Sequence, residues 1–187
     1  MTKYSLYQIL KEELKNGSAD LVTRRSGQAT RDRIERDILS EKDGTVIALD
    51  FSRIGIIDYS CADEIVAKLI SRLSGGEYGE KYIALVGLSE NQQENIEVAL
   101  ERKGLAAMAS MRDGSKVLLG SLHNYLKETL NLLLQKGNIT AKELSETMSL
   151  EANTSGTRLL NLYRKKLVRR REETREGGKV LVYEGLL

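Results

Sequence analysis

His123 is the only histidine and Cys61 the only cysteine in 187 residues. Catalysis of the Ser-His-Asp type and His-based metal centres both draw on imidazoles, so this inventory predicts neither. No Gly-x-x-x-x-Gly-Lys-Ser/Thr loop and no Gly-x-Gly-x-x-Gly is present, and the glycine-rich "SGGEYGEKY" has the wrong spacing to cradle a phosphate. The chain therefore reads as a non-enzyme without a cofactor or metal. Cys61 has no partner for an internal disulfide, which fits a reducing, cytoplasmic setting. A thiol at a helix start can have a lowered pKa, but a small buried thiol is the preferred reading. His123 reads as a surface residue at a domain junction. The tyrosines fall at helical and strand spacings and read as packing rather than as a platform for stacked bases.

Charge is the chemistry that remains. From Ser121 onward the chain holds 12 Lys/Arg against 8 Asp/Glu, a net of +4, whereas the preceding residues hold 17 against 19, a net of −2. Basic charge gathered in one third of a chain is what contact with a polyanion requires. The third also contains Thr154, Ser155, Thr157, Arg158 and Asn161 close together, then Arg169, Arg170, Arg171, Arg175 and Lys179. Hydroxyls reach phosphates or bases, Arg grips guanine and Asn pairs with adenine. The same residues would equally make an ordinary solvated face, and Glu172, Glu173 and Glu176 dilute the basic run.

The elements that must position these groups follow from periodicity. With 41% hydrophobic and 30% charged residues the chain can build cores, and its length suits two compact domains. No run of 18 uncharged apolar residues occurs, which predicts no membrane span, and the N-terminal residues lack the pattern of a secretion signal. Leu6, Ile9, Leu10 and Leu14 predict a helix over Tyr4 to Lys15, stopped by Asn16-Gly17-Ser18. A short strand is expected at Asp20 to Thr23 and a second helix at Gln28 to Glu41, with Ile34, Ile38 and Leu39 inward. The unbroken apolar run of Thr45 to Phe51 predicts a strand buried on both faces. Ser60 to Ser74 reads as a helix, Tyr82 to Val86 as a strand, and Asn91 to Lys103 as a helix carrying Ile96, Val98 and Leu100. Ala107 to Met111 and Ser115 to Leu119 form a hairpin around Asp113-Gly114. The order predicts an α/β domain over residues 1–120 with a mixed sheet and flanking helices.

Residues 121–187 form the second domain. Leu122 to Gln135 reads as a helix. Thr140 and Glu143 are placed for a capping box, with Ile139 as its hydrophobic staple, at the head of a second helix. A third runs from about Asn153 or Thr154 to Lys166. Leu167 to Arg171 and Lys179 to Tyr183 read as two strands around Glu176-Gly177-Gly178.

Helix, helix, turn, helix and a two-stranded wing resembles winged helix-turn-helix regulators over Leu122 to Tyr183. "ITAKELSETM" looks like the first helix of the pair, and "TSGTRLLNLYRKKLVRR" like the second running into the wing. Lys166 stands where such domains usually have glycine. The resemblance implies that Thr154, Ser155, Thr157, Arg158 and Asn161 enter the major groove of double-stranded DNA. It also implies that Arg169, Arg170, Arg171, Arg175 and Lys179 bring the wing to the phosphate backbone.

"VIALDFSRIGIIDYSCADEIVAKL" (Val46 to Leu69) resembles the STAS domain of bacterial anti-sigma-factor antagonists. It is also similar to a STAS-like bacterial family of unknown function that keeps Asp-Phe at the strand end and Ala-Asp-Glu at the helix start. "YIALVGLSENQQENIEVALERKGL" extends the likeness, which covers Asp20 to Met111. In the antagonists a kinase phosphorylates a Ser or Thr at this helix start, which implies Ser60 here. Tyr59 replaces the first hydroxyl residue and Cys61 the glycine, and Asp58, Asp63 and Glu64 add negative charge. Ser60 as a helix cap with Asp63 is the preferred reading, with Asp58 and Glu64 as surface charge complementing the helix dipole.

The expectation is a cytoplasmic prokaryotic transcription regulator. Its STAS-like domain receives a protein or small-molecule signal or mediates oligomerisation, its winged helix binds DNA, and a homodimer suits paired half-sites. The alternative is a protein-interaction switch, in which the STAS-like domain docks a kinase or other ATPase and the winged helix binds protein.

Overall fold

The computed structural model describes residues 1–14, 18–175 and 178–187, which divide into two compact units: Met1–Ser121 with Leu187, and Leu122–Leu186. The expected helix stop at Asn16-Gly17 and the expected turn at Glu176-Gly177 lie outside the described residues.

The first unit is α/β. Its five strands, β1 (Thr2–Ser5), β2 (Val46–Asp50), β3 (Tyr82–Leu88), β4 (Ala106–Met111) and β5 (Lys116–Gly120), stand in one sheet in chain order. β1 to β4 are parallel and β5 returns antiparallel, so the sheet is mixed. Parallel neighbours need crossover connections, and the helices supply them. They are α1 (Leu6–Leu14), α2 (Arg24–Ser40), the run α3 (Tyr59–Ala62), a π turn (Asp63–Ala67) and α4 (Lys68–Ser74), and α5 (Glu90–Glu101). Ile47 and Leu49 of β2, Ile83 and Leu85 of β3, Ala107 and Ala109 of β4 and Leu119 of β5 share one core with the helices' inward residues, among them Leu6, Leu10, Ile34, Ile38, Ile65, Leu69, Ile96 and Leu100. The alternate residues of the same strands face the other way, as a period of two requires.

Several expectations are corrected. The chain opens with a strand, and the helix starts at Leu6 instead of Tyr4. β1 is held by long-range partners: it pairs with β2, Lys3 reaches Asp50 at 2.9 Å, and the Tyr4 hydroxyl donates to Glu41 at 2.9 Å. Asp20 to Thr23 is no strand; it contributes a single bridge, Leu21 to Ile57. α2 starts at Arg24, four residues early, because Thr23 and Ser26 form a capping box. Leu39, expected inward, is 62% exposed, and Val98 is 41% exposed. The helix expected to run evenly from Ser60 contains the π turn, in which the Lys68 N–H reaches back to the Asp63 carbonyl.

The second unit comprises α6 (Asn124–Lys136), β6 (Asn138–Thr140), α7 (Ala141–Met148), α8 (Ala152–Arg164), β7 (Val168–Arg175) and β8 (Gly178–Gly185). Its three strands are antiparallel in the order β6-β8-β7. β6 was not expected: Ile139 pairs with Tyr183 of β8 and is wholly buried. Around it pack Leu126, Leu130, Leu133, Leu144, Leu159, Leu162, Val168 and Val182, none more than 1% exposed. Lys166 takes a left-handed backbone (φ 58°) between α8 and β7, where glycine meets no steric penalty.

Gly120 closes β5 at φ 84°, and a Cβ there would overlap the Leu105 carbonyl oxygen. Gly120→Ala is expected to lower stability by about 2–3 kcal/mol through strain and clash together. Urea unfolding of the two proteins measures this, and a change below about 0.5 kcal/mol would contradict the close approach.

Candidate nucleic-acid interface

α7 begins with the capping box that the sequence predicts: Thr140 Oγ1 accepts from the Glu143 N–H at 3.2 Å, and Glu143 Oε2 accepts from the Thr140 N–H at 2.7 Å. It ends where Ser149 takes a left-handed backbone, φ 52°. Three residues later α8 starts, so the two helices are joined by a tight turn.

α8 divides its residues by face. Leu159, Leu162 and Ser155 point into the core. Ser155 is 0% exposed, so it stands apart from the exposed residues with which its sequence position groups it. Asn153, Thr154 and Thr157 are exposed, and Arg158 and Asn161 are half-buried. Together with Tyr125 of α6 these five residues line a shallow cleft of about 360 Å³. The Thr157 hydroxyl donates to the Asn153 carbonyl at 2.8 Å, which leaves its oxygen able to accept. The Arg158 guanidinium lies 5.3 Å from the centre of the Tyr125 ring and donates to the Tyr125 carbonyl at 3.4 Å. His123 is stacked on the same ring, with centroids 5.9 Å apart.

Tyr125 and Asn153 are the members of this cleft that sequence reasoning missed. Tyr125 is 40% exposed, with Arg158 and His123 against its ring. The available signal was a lone aromatic at the head of a leucine-rich helix.

The β7–β8 hairpin carries the basic run, and its cations are engaged. Arg169 meets Glu184 at 2.9 Å, Arg171 meets Glu173 at 2.7 Å, and Lys179 meets Glu172 at 2.6 Å. Arg175 meets both Glu173 and Glu143 at 3.1 Å. Arg170 instead lies over the Tyr163 ring, 4.1 Å from its centre. The Thr140 N–H, helped by Arg175, holds the Glu143 carboxyl below its ordinary pKa, and Arg175 with Arg171 does the same for Glu173. Between α7, α8 and β8 lies a groove of about 630 Å³, with Thr140, Glu143, Gly156, Arg175, Leu181 and Tyr183 in its wall.

In the first unit the loop after β2 carries the other candidate. Asp58 caps α3 by accepting from the Cys61 N–H at 2.8 Å. Ser60 is therefore not the cap; its hydroxyl donates back to the Asp58 carboxylate at 2.9 Å. A phosphate on Ser60 would stand against that carboxylate. Glu64 is corrected as well, being 2% exposed instead of a surface charge, and Asp63, expected to partner a Ser60 cap, is 8% exposed. Glu64 is gripped by Arg31, by Lys68 at 2.6 Å and by Arg24 at 3.2 Å, and Lys103 reaches Asp63 at 2.7 Å. Cys61 is wholly buried and donates to the Thr23 carbonyl at 2.9 Å; burial raises its thiol pKa.

No group of His, Cys, Asp and Glu among the described residues is placed to hold a metal ion. Among the same residues no helix is long and apolar enough to cross a membrane. No protein-family model matches the chain, and no curated protein matches it in sequence.

Burial and a raised pKa both withhold the Cys61 thiolate. Alkylation by iodoacetamide at pH 8 is expected to run at least roughly a hundredfold slower in the native protein than in urea. Equal rates in the two states would place the thiol at the surface.

Proposed function

We propose that Leu122–Leu186 is a winged helix-turn-helix unit binding double-stranded DNA, and that Met1–Ser121 is a STAS-like unit receiving a protein or small-molecule signal. Together they make a transcription regulator. The observation that carries the reading is the polar face of α8: Asn153, Thr154, Thr157 and Arg158 in its N-terminal half, with Asn161 one turn on, line one cleft. The order helix, strand, helix, helix, strand, strand and the three-stranded sheet support it. In such domains the second helix of the pair meets base edges with its N-terminal residues. Arg158 can grip O6 and N7 of guanine, and Asn161 can pair with N6 and N7 of adenine. Ser155 is left out, since its burial removes it from any ligand. A dimer would set two such helices on half-sites one turn apart, about 34–36 Å.

For the first unit, the reading rests on a buried strand, an anchored loop and a helix opening at Asp58. The Ile56 N–H is held by Asp20 at 2.9 Å, and Gln92 of α5 donates to the Ile54 carbonyl at 2.8 Å. A rigid loop at the carboxyl end of a strand suits a docking or sensing role. Kinase action at Ser60 is the weaker part, because Asp58 already occupies the hydroxyl.

The protein-interaction switch is favoured by one observation, the ion-paired wing, whose arginines are less available to phosphate than their number suggests. A salt series of binding to random duplex DNA separates the two readings. Arg158→Ala is expected to weaken binding by about 1–3 kcal/mol. Binding that is absent at low salt, or unchanged by Arg158→Ala, would overturn the DNA reading. Tyr125→Ala removes the ring beside Arg158, so its effect should be smaller. The double variant should be no weaker than Arg158→Ala alone, since coupled residues are not additive. Fully additive losses would show that Tyr125 acts independently of Arg158.

A further inference from the structure

Alternate residues of a strand share a face, so Arg169, Arg171, Glu173 and Arg175 of β7 form one row. Glu173 sits inside that row and touches both of its neighbours, Arg171 at 2.7 Å and Arg175 at 3.1 Å. Glu184, paired with Arg169 in the β7–β8 register, adds a second carboxylate 2.9 Å from Arg169 and 3.7 Å from Arg171. Glu143 reaches the end of the row from α7, at 3.1 Å from Arg175. Three guanidiniums on this face thus meet three carboxylates. Lys179 repeats the pattern elsewhere on the hairpin, with Glu172 at 2.6 Å.

A surface evolved only to hold phosphate would not place carboxylates within its arginine row, since each one competes for the same N–H donors. We infer that Glu143, Glu172, Glu173 and Glu184 act as internal phosphate mimics that set DNA specificity, by occupying the wing cations and suppressing sequence-independent attachment. The inference rests on the DNA-binding reading and adds to it the residues that govern discrimination. An incoming phosphate must displace a carboxylate already in place, so each wing contact returns little net affinity. Binding must then come from α8, where base edges are read, and the ratio of specific to non-specific affinity rises.

Glu143 shows how closely the device is built in. One of its oxygens closes the capping box on Thr140 and the other holds Arg175, so the start of α7 and the wing share one side chain. Glu143 and Glu173 are charged at neutral pH, as any solvated glutamate is. Arg175 with Arg171 favours that form further for Glu173, and the Thr140 N–H with Arg175 does so for Glu143. The competition is therefore present at neutral pH.

The test uses the full chain and a random-sequence duplex of about 20 base pairs, with binding followed by fluorescence anisotropy between roughly 50 and 200 mM salt. E143Q/E173Q frees Arg175 and loosens Arg171, and Gln at position 143 preserves the capping box. E128Q, an exposed α6 position that makes the same charge change per site, is the control. The double variant should bind more tightly than the parent at low salt. Its affinity should fall by about tenfold more than the parent's across the series, since each added phosphate contact contributes roughly three- to fourfold over that range. E128Q should keep the parental slope. A double variant whose slope equals that of E128Q would overturn the inference while leaving the DNA reading intact. Absence of binding by all three proteins at the lowest salt would overturn both.

Discussion

A carboxylate cannot sit in a protein interior alone, because desolvation costs far more than burial returns unless donors surround it. Glu64 meets that condition with three cations from two directions: Arg24 and Arg31 on α2, and Lys68 one turn along its own helix. Much of the first unit is arranged to let this happen. Gly27 has no side chain where α2 passes Cys61 and Glu64; a Cβ there would stand 3.1 Å from the Glu64 Cβ. The π turn reaches back one residue further than an α turn would, and both Asp63 and Glu64 lie within it. The pairs extend outward through Asp63 to Lys103, and through Arg31 to Asp32. Two helices and the end of a third are thereby fixed in register, and with them the Asp58–Ser60 turn.

The second unit is organised on the opposite plan. Its core is built almost entirely from leucine and valine, and its ion pairs lie at the surface, where each contributes about 0–1 kcal/mol. Charges of that kind do not hold the fold together and are free to exchange partners. The contrast between the units therefore has a physical meaning. In one, charge is buried and locked; in the other, it is solvated and only weakly held.

Much of this architecture was legible in the sequence. The long apolar runs gave β2 and β3, the 3.6-residue spacing gave α4 to α8, and Asp113-Gly114 gave the β4–β5 hairpin. Thr140 and Glu143 gave a cap correct to the atom. What escaped depended on partners distant in the chain. β1 has four residues, too few for a pattern, and exists because β2 stands ready beside it. β6, at three residues, exists because β8 does. Glu64 read as solvated because its three cations are spread over 45 residues of sequence. Ser155 read as a surface hydroxyl because spacing groups it with Thr154 and Thr157, although helical geometry turns it inward. The pairing of the β7 arginines with glutamates was hinted at by the mixed composition, but which carboxylate meets which guanidinium depends on hairpin register.

The chain-order arrangement of the first sheet also bears on how the protein comes into being. Each strand docks on the edge left by its predecessor, so the sheet can grow in the direction of synthesis without any strand being inserted between two already paired. The exception is the start: Thr2 has no neighbour until Ile47 has been made. The first parallel pair therefore cannot close before β2 emerges, and until then α1 and α2 have only each other, through contacts such as Arg33 with Glu12 at 3.0 Å.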